Sequence, residues 1–179
     1  MGRRFALVGG LAVSFRAEVR FTRDIDLAVV VKDDHDLEEL VFALRSAGYF
    51  PVATVGHTER RRLATARLQA PAGLVVDLMA ASCGIEQEVV ERAALVEMPG
   101  VGLLPVARSE ELLAMKVLSM SERRLQDRMD ARNLVLCAEG LDLGSVEESL
   151  NRIIARGYHR EQDLHAKLAS ILSETRGGR

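Results

Sequence analysis

A chain of 179 residues, 48% hydrophobic and 28% charged, has enough apolar material for one sizeable core with a modest helical extension, without staples. A formal net charge of −2 argues against wrapping duplex DNA by bulk electrostatics, and 4% aromatics with no Trp argues against a base-stacking platform. The cysteines, Cys83 and Cys137, are too few for a disulfide framework and read as buried small hydrophobes in a reducing compartment. The start has neither the apolar run of a signal peptide nor the residues that myristoylation prefers, and no stretch approaches a membrane span. A cytoplasmic protein with no membrane partner is expected.

In chain order, Phe5 to Val8 reads as a buried strand stopped by Gly9-Gly10, and Leu11 to Ala17 as a helix. The aliphatic run Ile25 to Val31 suits a strand covered on both faces. Asp36 to Ala47 has helical periodicity with Gly48 as its C-terminal cap. Tyr49 to Val55, Leu63 to Gln69 and Leu74 to Met79 predict three strands, with Pro71-Ala72-Gly73 turning between the last two. A short helix over Ile85 to Ala93 precedes two brief strands, Ala94 to Met98 and Leu103 to Val106. From Ser109 onward the pattern is helical: Ser109 to Met120 with a Ser109 cap, Glu122 to Glu139, Val146 to Ala155 and Glu161 to Ser173. The plan is α+β, a mixed sheet with flanking helices over residues 1–107 followed by a helical bundle over 108–179 packed on it.

The segment Arg20-Phe21-Thr22-Arg23-Asp24-Ile25-Asp26-Leu27 carries the strongest chemical signal. Residues two apart on a strand share a face, so Asp24 and Asp26 point one way while Ile25 and Leu27 enter the core. Two such acids repel unless a cation lies between them, and a hard divalent cation takes these oxygens with substrate phosphates completing its shell. The plainer reading has one Asp capping a turn and the other pairing with Arg20 or Arg23. Asp77 tips the balance: it too is an acid inside an aliphatic strand, where an unpaired charge is costly. Three acids from two strands can hold two metals that clamp the attacking and leaving oxygens of a phosphoryl transfer.

Gly9-Gly10, between strand and helix, lets backbone N–H groups approach a phosphate; a tight turn without ligand explains the pair equally well. The spacing is neither a Walker loop nor a Rossmann fingerprint. Of 24 Lys plus Arg only Lys32, Lys116 and Lys167 are lysine, so Lys116 on a mostly apolar helix stands out as a point charge suited to one phosphate. An unbroken helix would place Lys116, Arg123, Asp127 and Asp130 in one stripe. A cap at Ser121 would instead leave tertiary packing to bring them together, with Arg123 and Asp127 as a structural pair.

Leu7-Val8-Gly9-Gly10-Leu11-Ala12-Val13 followed by Arg20-x-Thr22-x-Asp24-Ile25-Asp26-Leu27 resembles the first motif of the polymerase-beta-like nucleotidyltransferases, and in particular the AbiEii-like branch of bacterial toxin–antitoxin systems. The resemblance runs through Asp77 to Leu113-x-Met115-Lys116, Arg123, Arg124, Asp127 and Asp130. It implies a nucleotidyltransferase-type sheet and transfer of an NMP from an NTP to an acceptor hydroxyl with Mg²⁺ or Mn²⁺. Asp24, Asp26 and Asp77 would be the catalytic metal-binding acids. Gly9, Gly10 and Lys116, with Arg20 and Asp127, would bind nucleotide and phosphate. The acceptor would be tRNA, a protein or a small molecule, and a cognate antitoxin is implied as partner. Many relatives carry Gly-Ser where this chain has Gly9-Gly10, and a helix before the first strand, on which this chain almost begins.

The alternative of another class is a catalytically inactive nucleotidyltransferase-like interaction module; an Asp-x-Asp glycosyltransferase has too little chain for two domains. Arg60-Arg61-Arg62 reads as a solvated hairpin more readily than a nucleic-acid contact. His35, His57, His159 and His165 lack metal spacing, and the last two are placed on C-terminal helices facing solvent.

Overall fold

The computed structural model describes residues 3–57 and 62–176. Among these the strands are β1 (Phe5–Val8), β2 (Asp24–Val29), β3 (Phe50–His57), β4 (Arg62–Gln69), β5 (Val75–Met79), β6 (Ala94–Met98) and β7 (Gly102–Val106). The helices are α1 (Gly9–Arg16), α2 (Asp34–Ser46), α3 (Glu86–Arg92), α4 (Ser109–Ser119), α5 (Leu125–Cys137), α6 (Leu143–Ala155) and α7 (Leu164–Arg176). Arg60 and Arg61 of the basic run lie outside the described residues, while Arg62 donates to Asp34 at 3.0 Å.

The sheet runs β3-β4-β5-β2-β1-β7-β6. β5–β2 and β1–β7 are parallel and the other pairs antiparallel. Alternation along the strands divides its two faces. Leu37 and Leu40 of α2 cover one, packing with Val29, Ala66, Leu68, Val76 and Leu78. α2 starts two residues earlier than the periodicity suggests, because Asp33 caps it by accepting from the Asp36 amide at 2.9 Å.

On the other face, β1 meets the helices in a larger cluster that includes Leu7, Val13, Leu113, Leu134, Leu150, Ile153, Leu168 and Ile171. α4 is buried along nearly its whole length, Leu112 to Leu118, which explains why it is apolar on every side. Ser109 is its first helical residue and makes no side-chain cap; Glu110 and Glu111 do occupy the first turn, where the dipole favours acids.

The stretch from α4 to α5 is not one helix. The chain turns at Met120–Arg124, and Lys167 fixes the break from α7. Its ammonium donates to the carbonyl of Met120 at 2.6 Å and of Val117 at 3.4 Å, answering groups that a helix C-terminus leaves without partners. The break folds α5 back beside α4. Of the cysteines, Cys83 is buried as expected, but Cys137 ends α5 and is exposed.

Replacing Lys167 by Met keeps the stem and removes the charged donor. It is expected to destabilise the protein by ~2 kcal/mol in urea denaturation, the worth of a charge-assisted bond to a partly buried carbonyl.

Candidate active site

The register of β2 builds the site. Asp26 stands opposite Val8 at the end of β1 on one side and opposite Asp77 of β5 on the other. Asp77 in turn faces Arg67 of β4. Asp24, two residues before Asp26, shares its face, as the alternation predicts. β2 therefore begins one residue before the aliphatic run, on the acid itself.

Arg67 is the residue that the sequence reading missed. Its Nε donates to Asp77 Oδ1 at 2.8 Å and its Nη2 to Asp77 Oδ2 at 2.6 Å, a two-pronged pair, with Asp24 Oδ2 a further 3.5 Å from Nη2. Arg20 and Arg23, the partners considered for the Asp-x-Asp acids, do not fill that role: Arg20 is committed elsewhere and the nearby cation is Arg67. The available signal was the pattern Thr65-Ala66-Arg67-Leu68, which sends Arg67 away from α2.

Asp26 lies under the first turn of α1. A Cβ on Gly9 would fall on the Asp26 carboxylate, and Gly9 has φ +65°, so both space and backbone require glycine. The Gly10 amide donates to Asp26, so the acid supplies the side-chain cap that Val8 cannot give. α1 accordingly starts at Gly9 rather than Leu11. The Asp26 carboxyl is raised above the ordinary aspartate range by burial first and then by Asp77, with Asp24 adding to the rise and Lys116 and the Gly10 amide opposing it.

Gly10 is glycine for a different reason. A Cβ there would stand 2.9 Å from Cζ of Arg20, whose guanidinium passes over the turn. Arg20 reaches Asp130 of α5 by two bonds of 2.8 Å each. Asp130 is fully buried and also accepts from Gln126 at 2.9 Å and pairs with Lys116 Nζ at 2.8 Å. Burial works to raise its carboxyl, but Arg20 and Lys116 outweigh that and hold it below the usual range.

Lys116 also donates to Asp127 at 2.7 Å. Tertiary packing across the α4–α5 break thus brings Lys116, Asp127 and Asp130 together, and the Asp127 partners are Lys116 and, at 3.6 Å, Arg124 rather than Arg123.

An open cleft of ≈ 960 Å³ lies over β5, β4 and β3, lined among others by Asp26, Asp77, Arg67, Thr65, Ser82 and Arg124. Its far wall is the α6–α7 loop, with His159, Arg160 and Glu161. His159 is therefore a loop residue facing the cleft, not a solvent-facing helical one, and its Nδ1 is buried with no hydrogen-bond partner among the described residues. Arg160 and Glu161 have φ +55° and +58°, a conformation rare outside glycine. Arg160 is anchored to the Ser82 carbonyl at 3.2 Å. Glu86 braces the β5–α3 loop that carries Ser82, accepting from the amides of Ser82, Cys83 and Gly84 at 2.5–2.9 Å. His165 does lie exposed on α7, bonded to Asn151.

The family model described as "Nucleotidyl transferase AbiEii toxin, Type IV TA system" matches residues 1–135, from before β1 into α5. The chain belongs to the AbiEii family. It is accordingly a nucleotidyltransferase, and α6 and α7, with the cleft's far wall between them, lie beyond the matched residues. No curated protein matches the chain.

Solved structures similar to this AbiEii chain include the lincomycin-bound lincosamide antibiotic adenylyltransferase LnuA. It is 18% identical, covers 74% of this chain and 86% of its own, and has a TM-score of 0.43. The antibiotic-resistance factor ANT(2'')-Ia is 15% identical over 86% of this chain and 83% of its own, with a TM-score of 0.48. MenT4, a nucleotidyltransferase toxin from Mycobacterium tuberculosis H37Rv, is 13% identical over 94% and 85%, with a TM-score of 0.34. These are distant likenesses, and the chemistry of the site rests on the residues described above.

Hard carboxylate oxygens on one face suit Mg²⁺ or Mn²⁺. Among the described residues no group of three His, Cys, Asp or Glu side chains is arranged to hold a metal ion, and both oxygens of Asp77 are engaged by Arg67. Asp24 and Asp26 share one face of β2, with Asp26 opposite Asp77, and the chemistry of the three acids suits a hard cation where Arg67 does not occupy them.

Two outcomes test this electrostatic arrangement. Gly10→Ser is expected to cost about 1–3 kcal/mol by crowding Arg20, and to cost clearly less in an Arg20→Ala background, read as a double-mutant cycle in denaturant. Asp26, with its carboxyl raised, adds stability below the unfolded aspartate range near pH ~4 and loses that contribution as pH rises through the raised value. Asp26→Asn should therefore melt at a higher temperature than the wild type at pH 7, with the gap narrowing toward pH 4.

Proposed function

We propose that this AbiEii-family nucleotidyltransferase moves a nucleoside monophosphate from an NTP to an acceptor hydroxyl, using a divalent cation held by Asp24 and Asp26. The observation that carries the proposal is the row Asp26–Asp77 across β2 and β5, with Asp24 on the same face, at the edge of an open cleft. The cation would neutralise charge on the phosphates and polarise the α-phosphate. Everything else in the transfer is positioning and charge balance by the chain.

Lys116 directs two of its three N–H donors at Asp127 and Asp130, which fixes the ammonium beside Asp26 and leaves the third to be offered to an outer phosphate. Gly9 and Gly10 leave the α1 turn room for the Asp26 carboxylate and the Arg20 guanidinium, which set the charge that an approaching triphosphate meets. Arg20 and Asp127 act one step back, by holding Asp130 and Lys116. The acceptor oxygen attacks the α-phosphorus as the bond to the β-phosphate oxygen breaks. Pyrophosphate leaves, and the hydroxyl proton passes to Asp77.

Of the acceptors in view, RNA fits the cleft best. Arg67, Arg124 and Arg160 line it beside Asp26, Asp77 and Glu161, and the guanidiniums can meet a phosphate backbone once a cation neutralises the acids. As an AbiEii protein the chain is read as the toxin of a toxin–antitoxin pair, with a cognate antitoxin as protein partner. Among the described residues no helix is long and apolar enough to cross a membrane.

Calorimetry with each NTP, with and without Mg²⁺, is expected to show Mg²⁺-dependent binding that Asp26→Asn abolishes. Transfer of label from an α-labelled NTP to total RNA should fall by about 10²–10³-fold in the same variant. Undiminished transfer by an Asp24→Asn, Asp26→Asn double variant would overturn the assignment, and absence of binding to any NTP would restore the interaction-module reading.

A further inference from the structure

Arg67 and Asp77 differ sharply in their access to solvent. The Asp77 side chain is 12% exposed and sits at the back of the cleft, whereas the Arg67 side chain is 44% exposed and lies across it. The acid cannot move far without breaking the β5 core between Val76 and Leu78, both buried. The arginine can. Its cross-strand neighbour on β3 is the small Ala53, next to a shift in register, and the cleft opens over Ala53, Val55 and Gly56 on that side. The guanidinium therefore has somewhere to go.

It also has a reason to go there. In this state it stands as the counter-cation of Asp77 and approaches Asp24. A chain of phosphates offers a planar fork more oxygens and more negative charge than one carboxylate does.

We propose that Arg67 is a latch on the third acid. Without substrate its guanidinium holds both oxygens of Asp77, so a cation is bound through Asp24 and Asp26 alone. The phosphates of an incoming nucleotide draw Arg67 toward β3, and only then does Asp77 become available to the cation and to the acceptor proton. The latch makes Arg67 a positioning residue that ties assembly of the site to the arrival of a phosphate-bearing ligand. This inference rests on the function proposed above.

The test reads Mn²⁺ binding by electron paramagnetic resonance on the full chain, without nucleotide. Arg67→Gln is expected to bind Mn²⁺ at least tenfold more tightly than the wild type, and Arg67→Met, which keeps the aliphatic stem, should do the same if Gln perturbs folding. The gain must depend on Asp77, so adding Asp77→Asn to Arg67→Gln should abolish it. Arg124→Gln, which removes another cleft cation not bonded to Asp77, should give less than threefold. With a saturating non-hydrolysable NTP, the gap between the wild type and Arg67→Gln should close to within threefold.

Equal gains in Arg124→Gln, a gain that survives Asp77→Asn, or no gain at all would each overturn the latch. A tenfold gap that persists with nucleotide would overturn release by phosphate. Mn²⁺ binding insensitive to Asp26→Asn in every background would instead refute the underlying metal site, which separates the two failures.

Discussion

Three carboxylates on two adjoining strands repel one another, and the surroundings of the site are arranged to contain that repulsion. Burying like charges side by side is tolerable only with compensation close at hand. It comes here from three directions: the Gly10 amide from above Asp26, Lys116 from α4, and Arg67 from the neighbouring strand. Each compensating group is itself held. Lys116 is steadied by Asp127 and Asp130, and Asp130 by Arg20, so the charge pattern extends from the sheet through the helices without leaving a buried ion alone.

This containment accounts for the shape of the helical half. Lys116 can meet Asp127 and Asp130 only because the chain breaks between α4 and α5 and returns alongside. Lys167, one of only three lysines, holds that break from the last helix. Two of those lysines thus serve one purpose: the first at the site, the second keeping the first in position. A compact ammonium with three donors can answer several acceptors around one point, which a planar guanidinium does less well.

What the sequence made legible follows from periodicity. Asp24 and Asp26 share a face because strands alternate, and Asp77 was conspicuous as an acid within an aliphatic run. The parallel register that sets Asp77 beside Asp26 was not legible, because it depends on how the chain leaving β2 passes through α2, β3 and β4 before returning as β5 alongside it. Arg67 was hidden for the same reason, since its partner is fixed by a pairing no local pattern reveals. Lys116 stood out by composition, yet its partners depended on a helix break that periodicity alone left undecided. His159 was misplaced although Gly157, at φ +72°, ends α6 just before it and the predicted helices themselves leave residues 156–160 between them.

The wall that loop builds bears on modularity. The family match ends within α5, as if catalysis were complete there. Yet the cleft's far side is anchored by Arg160 on Ser82 and by Arg156 on Gly84 and Glu88, and Leu150, Ile153, Leu168 and Ile171 belong to the same apolar cluster as β1. The last two helices are thus joined to the catalytic half by both core and cleft. A chain cut at the edge of the family signature would lose a side of its own active site, and a homologue with a different C-terminal pair of helices would present its acceptor with a differently shaped door.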